Sequence, residues 1–124
     1  MNQIRVLVVD DKKIIGDFFD FTLGYLGHQV KVINNPNEVV SILQKDRFDI
    51  AFLDIVMPEK DGVEVLKDIK STHPELPVVM MTGYTVEEKR SQALDLGAVT
   101  CLKKPFELSD VQRAVQEAIG KDIE

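Results

Sequence analysis

The chain has 124 residues, 44% of them hydrophobic and 29% charged, with 15 Lys and Arg against 21 Asp and Glu for a net charge of −6. That size fits one domain over residues 1–124, excludes two-domain enzymes and repeat arrays, and is large enough to bury a core without covalent staples. The acidic balance argues against nucleic acid or an anionic membrane as a direct partner, since such binders rest on basic patches; it suits divalent cations and basic partner surfaces.

The first apolar run, Ile4 to Val9, predicts a strand. Ile14, Ile15, Phe18, Phe19 and Leu26 then mark the core stripe of a first helix, with Gly27 placed to end it. A weaker run, Val30 to Ile33, is the second strand. Asn35-Pro36 reads as an N-cap followed by proline at the first helical position, and Val39, Val40 and Leu43 supply that helix's stripe. Ile50 to Leu53 is the third strand, followed by a helix on Val63, Leu66 and Ile69. Val78 to Met81 is the fourth, followed by a helix opened by a capping box of Thr85 and Glu88. Val99 to Leu102 is the fifth. The last helix carries Leu108, Val111, Val115 and Ala118 and finishes near Gly120. Most strand runs are continuous and β-branched, as strands covered on both faces are. Five strands alternating with five helices predict a (βα)5 doubly wound parallel sheet with helices on both faces.

The remaining features have plain structural roles. Phe18, Phe19, Phe48 and Phe52 read as core, and Met80 and Met81 as buried strand. His28 and His73 read as solvated residues of connecting segments. Glu87, Glu88, Lys89 and Arg90 read as the exposed first turns of the fourth helix. The lone Cys101, with two histidines in the chain, makes neither an internal disulfide nor a zinc set. The N-terminus lacks a signal-peptide layout, and no apolar run approaches the roughly 18 residues a bilayer span requires; the cytosol is the expected compartment.

The residues just beyond each strand carry the chemistry. Asp10-Asp11 come after the first strand, Asp54 after the third, Thr82-Gly83 after the fourth and Lys104-Pro105 after the fifth; the second is succeeded only by Asn34-Asn35. In a parallel sheet all these positions share one edge, where ligands bind near the reversal of strand order. A second strand that offers nothing suits an edge position, which predicts the order 2-1-3-4-5. Singly, each residue has a plainer role: Asp11 could be a helix N-cap, Asp10, Asp54 and Thr82 turn residues, Lys104 a solvated lysine. Together, on four strands and one edge, they are not explained by capping.

Three crowded carboxylates repel and raise one another's pKa unless a cation sits among them. An oxygen-only set suits Mg²⁺ or a similar hard ion. With a hydroxyl and a lysine alongside, the set matches the needs of phosphoryl transfer, in which a carboxylate can be the nucleophile. Asp54 ends a central strand and precedes a tight loop, Ile55-Val56-Met57-Pro58 then Asp61-Gly62, that can bring a backbone carbonyl to the metal. Asp54 is therefore assigned as phosphoacceptor, with Asp10 and Asp11 on the metal side.

At these motifs the chain resembles the receiver domains of two-component response regulators. Val8-Val9-Asp10-Asp11, Leu53-Asp54-Ile55-Val56-Met57-Pro58 with Asp61-Gly62, Met81-Thr82-Gly83 and Lys104-Pro105-Phe106 carry the resemblance, which covers essentially the whole chain. It implies a flavodoxin-like fold and a switch or relay role. Asp54 would take a phosphoryl group from a phosphohistidine on a sensor histidine kinase or a histidine phosphotransfer protein. Mg²⁺ (or Mn²⁺) would be held by Asp10, Asp11, Asp54 and the backbone carbonyl of Val56, with Thr82 and Lys104 on the phosphoryl group and a cis Lys104–Pro105 peptide. Val56 and Tyr84 are the positions expected to tune phosphoryl lifetime, both by screening water. Receivers usually carry Tyr or Phe where this chain has Cys101, so the switch position that accompanies Thr82 departs from the family pattern. The fourth helix, fifth strand and fifth helix would be the signalling surface toward a downstream protein. The chain reads as a stand-alone receiver, with a fragment of a larger response regulator or hybrid kinase as the alternative. A Mg²⁺-dependent aspartyl phosphohydrolase would need a second acid at Val56, and a nucleotide or flavin binder a Gly- or Ser/Thr-rich turn in place of Asp-Asp-Lys-Lys.

Overall fold

The computed structural model describes residues 3–83 and 87–120. Its elements are β1 (Arg5–Val9), α1 (Lys13–Tyr25), β2 (Gln29–Ile33), a 3₁₀ turn (Pro36–Glu38), α2 (Val39–Lys45), β3 (Ile50–Asp54), α3 (Gly62–Thr72), β4 (Val78–Thr82), α4 (Glu87–Asp95), β5 (Thr100–Lys103) and α5 (Leu108–Ile119). The five strands form one parallel sheet in the order β2-β1-β3-β4-β5, as expected from the strand that offers no site residue.

Alternation along the strands splits the core between the two faces of the sheet. Leu7, Val9, Ala51, Leu53, Val78 and Met80 pack with Val39 and Leu43 of α2, Leu66 and Ile69 of α3 and Ala93 of α4. Val6, Val8, Ile50, Phe52, Val79 and Met81 pack with Phe19 and Leu23 of α1 and Val111 and Val115 of α5. Every residue of β3 and β4 is buried, which accounts for their unbroken apolar runs, whereas β2 buries only Ile33 fully, as an edge strand does.

The helix signals operate as expected at several ends. Asn35 Oδ1 accepts the Asn37 amide at 3.0 Å, and Pro36 opens the turn that leads into α2. Gly27, at φ 95°, closes α1: its amide donates to Gly24 O, and His28 N donates to Leu23 O, both at 3.0 Å. Gly16 lets α1 lie against β2, because a Cβ there would sit 2.6 Å from Val32 Cγ1. Thr85 lies outside the described residues.

Two expectations are corrected. Ile14 is not core: it is 74% exposed, with Phe21 and Tyr25 also exposed. These three recur at i, i+7 and i+11 and share a face of α1, while Ile15, Phe19, Leu23 and Leu26 turn toward the sheet. His28 is not solvated. It is 4% exposed, and its Nδ1 accepts the Ile4 amide at 3.1 Å where the chain enters β1. His73, by contrast, is half-exposed at the end of α3.

Candidate functional site

The strand ends bring the expected residues together. Asp10 leaves β1 with its amide donating to Ile33 O at 3.1 Å, and its side chain is buried. One carboxylate oxygen, Oδ1, accepts the Lys12 amide at 2.8 Å; the other, Oδ2, accepts from Lys104 Nζ at 2.8 Å. Asp54, the last residue of β3, is also buried. Its Oδ1 accepts the Val56 amide at 3.3 Å, and its Oδ2 lies 3.4 Å from the same Lys104 ammonium. Asp11 completes the group: one carboxylate oxygen from each of Asp10, Asp11 and Asp54 lies within 4.8 Å of the others. Asp11 does not cap α1, which begins after Lys12 without a side-chain cap.

Asp11 Oδ1 is buried and accepts no hydrogen bond from the described residues; its ion-pair partner, Lys12 Nζ, stands 3.9 Å away. A buried carboxylate oxygen without a donor is costly, and a cation beside it would relieve that cost. Three carboxylates supply hard oxygen ligands only, so the residues present fit Mg²⁺ or Mn²⁺.

The carboxyl of Asp54 is pushed up to about 6, first by burial and next by the neighbouring charge of Asp10; Lys104 and the Val56 amide pull the other way. Lys104 thus compensates the acids only in part, and a divalent cation would complete the compensation.

Lys104 is placed by its flanks. Its amide donates to Thr82 O at 2.7 Å, and the Lys104–Pro105 peptide is cis. Phe106 then packs against Phe18 and Phe19 of α1, with ring centroids 5.6 and 6.0 Å away. Thr82 is buried at the end of β4. Val56 is 46% exposed beside Asp54. Tyr84 lies outside the described residues. Cys101 is half-buried on β5 and packs toward the α2–α3–α4 side; burial pushes its thiol up, away from the reactive thiolate.

The loop from β3 to α3 is tied back on itself. Gly62 N donates to Ile55 O at 2.7 Å, and a Cβ on Gly62 would fall 2.1 Å from Asp54 O, so only glycine fits. Asp61 Oδ1 caps α3 by accepting the Val63 amide at 2.8 Å, while Asp61 Oδ2 pairs with Lys89 of α4. Sequence pattern places Lys89 on an exposed turn and gives no sign of this pair. Its partners stand 28 residues apart on different elements, and no local spacing links them.

A family model for the response regulator receiver domain matches residues 6–116. The response regulator MprA of Mycobacterium leprae is 33% identical over 118 residues, covering 95% of this chain and 52% of that protein. The transcriptional regulatory protein ZraR of Klebsiella oxytoca is 34% identical over 118 residues, 95% of this chain and 27% of that protein. The chain therefore spans about half, or less, of the length of these relatives. Among solved structures, a CheY-like receiver domain protein from Methanospirillum hungatei superposes with a TM-score of 0.88 at 28% identity, covering 94% of this chain and 93% of the other. The chemotaxis protein CheY4 of Vibrio cholerae gives 0.87 at 30% identity, covering 95% and 100%. Matched over nearly its whole length in sequence and in fold, with its acids and lysine gathered at the carboxyl edge of the sheet, the chain belongs to the receiver domain family of two-component response regulators.

Proposed function

We propose that Asp54 is the phosphoacceptor and that the phosphoryl group comes from a phosphohistidine on a histidine kinase or phosphotransfer protein. The gathering of Asp10, Asp11 and Asp54 at one point, with the Lys104 ammonium on Asp10 and Asp54, carries the reading. An Asp54 carboxylate oxygen forms the new P–O bond as the P–N bond to the donor imidazole breaks, and the imidazole keeps the electron pair. A bound Mg²⁺ or Mn²⁺ would neutralise charge on the transferred oxygens; Asp10, Asp11, Asp54 and the Val56 carbonyl would hold it. Lys104 supplies a second cation and Thr82 a hydroxyl at the same edge. The chain promotes its own phosphorylation and dephosphorylation and turns over no metabolite. Val56 and Tyr84 would shield the acyl phosphate from water, and the face of α4, β5 and α5 would carry the message to a downstream protein in the cytoplasm, with Cys101 in place of the usual aromatic. Val56, where an aspartyl phosphohydrolase needs a second acid, disfavours that alternative.

The test is intact mass after incubation with Mg²⁺ and acetyl phosphate. The wild type is expected to gain one phosphoryl group, and Asp54→Ala none. An unmodified wild type, or equal gain by both proteins, overturns the assignment.

A further inference from the structure

Lys89 is the unexpected residue near the site. It stands on α4, and its ammonium pairs with Asp61 at the start of α3. Both groups are partly open to solvent, with side chains 40% and 29% exposed. The packing of α4 itself is thin: Ala93 is its only buried residue. The pair is therefore a substantial tie between α4 and the loop between Asp54 and α3.

That loop has little slack. Asp61 caps α3 through Oδ1. The next residue, Gly62, donates to Ile55 O at 2.7 Å and presses on the backbone of Asp54 and Ile55, with room for no side chain. A displacement of Asp61 is passed by these contacts to the backbone that presents the Asp54 carboxylate and the Val56 peptide.

We propose that Lys89 is a positioning residue for the cation site: by holding Asp61, it keeps the β3–α3 loop in register, so that cation affinity at Asp10, Asp11 and Asp54 depends on where α4 lies. This rests on the reading of those three acids as a divalent-cation site. Coupling is reciprocal. An acidic partner surface that takes the Lys89 ammonium from Asp61 lowers cation affinity, and bound cation disfavours that partner by the same factor.

Electrostatics alone demands the opposite sign. Removing a positive charge near a cation site tightens cation binding, more so at low salt. Weaker binding after Lys89→Met is therefore an effect that positioning produces and simple charge does not. Mg²⁺ affinity is to be measured calorimetrically, without phosphodonor, on the wild type, Lys89→Met, Lys89→Arg, Asp61→Asn and the Lys89→Met/Asp61→Asn double variant. Asparagine keeps the cap oxygen for Val63 and removes the ionic partner. The expected result is a loss of about two- to fivefold in Lys89→Met, the scale of a partly exposed ion pair, recovery in Lys89→Arg, and a double variant no weaker than Asp61→Asn. In the metal-free protein, the Gly62 amide exchanges faster in Lys89→Met and recovers in Lys89→Arg. Unchanged or tighter Mg²⁺ binding by Lys89→Met, beside a wild type that binds Mg²⁺, overturns the proposal alone. A wild type without Mg²⁺ affinity overturns the site reading and the proposal with it.

Discussion

His28 shows how a single side chain can set a pH limit. Its Nδ1 accepts the Ile4 amide, and a backbone N–H can only donate, so the neutral ring carries its proton on Nε2. That nitrogen is buried and has no hydrogen-bond partner among the described residues. Protonation would turn Nδ1 into a donor facing a donor, and burial holds the ring below its usual 6.5. The unfolded chain therefore binds this proton at a higher pH than the folded one does. The stability is full above about 6.5 and falls as the pH drops from there toward the lower folded value. The thermal midpoint of the wild type is expected to fall relative to His28→Asn, which keeps an acceptor for Ile4, between about pH 7 and pH 5. A constant difference between the two proteins over that range sinks the idea. Nothing local signalled this role, because a histidine after a helix-ending glycine reads as solvated until β1 is packed beside it.

The strands were legible as elements because their buried stretches are runs, and four of the five helices because their stripes recur at helical spacing; the fourth was placed by its capping signal. Observed strand limits differ from the expected ones by about a residue, as end assignments commonly do. On α1 the pattern was ambiguous, since Ile14, Phe21 and Tyr25 make a second apolar line beside the first, and only docking on the sheet selects which line is buried. Close approaches between elements were equally hidden, and they give a prediction at this scale. At Gly62 a Cβ meets the backbone oxygen of Asp54, which cannot swing away, so Gly62→Ala is expected to cost about 3 kcal/mol, the upper end of ordinary overpacking. At Gly24, inside α1, a Cβ meets nothing within 4 Å; Gly24→Ala is expected to stabilise by about 0.5–1 kcal/mol. Urea unfolding of both variants checks the pair, and a neutral Gly62→Ala overturns the close-packing argument.

Across the whole molecule, the proposed cation site predicts a stability that depends on the cation. The Asp10–Asp11–Asp54 group contributes to the net charge of −6, and it is gathered only in the folded chain. A cation bound there stabilises the fold by mass action, about 2.7 kcal/mol when free cation stands at 100 times its dissociation constant. The melting temperature of the wild type should therefore rise with Mg²⁺, while that of Asp11→Asn rises much less; parallel rises would place the effect elsewhere. The sequence by itself determined the order of elements, the shared edge of their carboxyl ends and the residues standing there, because strand and helix periodicity and the parallel crossover are rules of local pattern and chain direction. Which face of α1 is buried, the burial of His28 and the bond from Lys89 to Asp61 were decided only by tertiary structure. Each depends on separations between residues far apart along the chain, and those become defined when the helices settle onto the sheet.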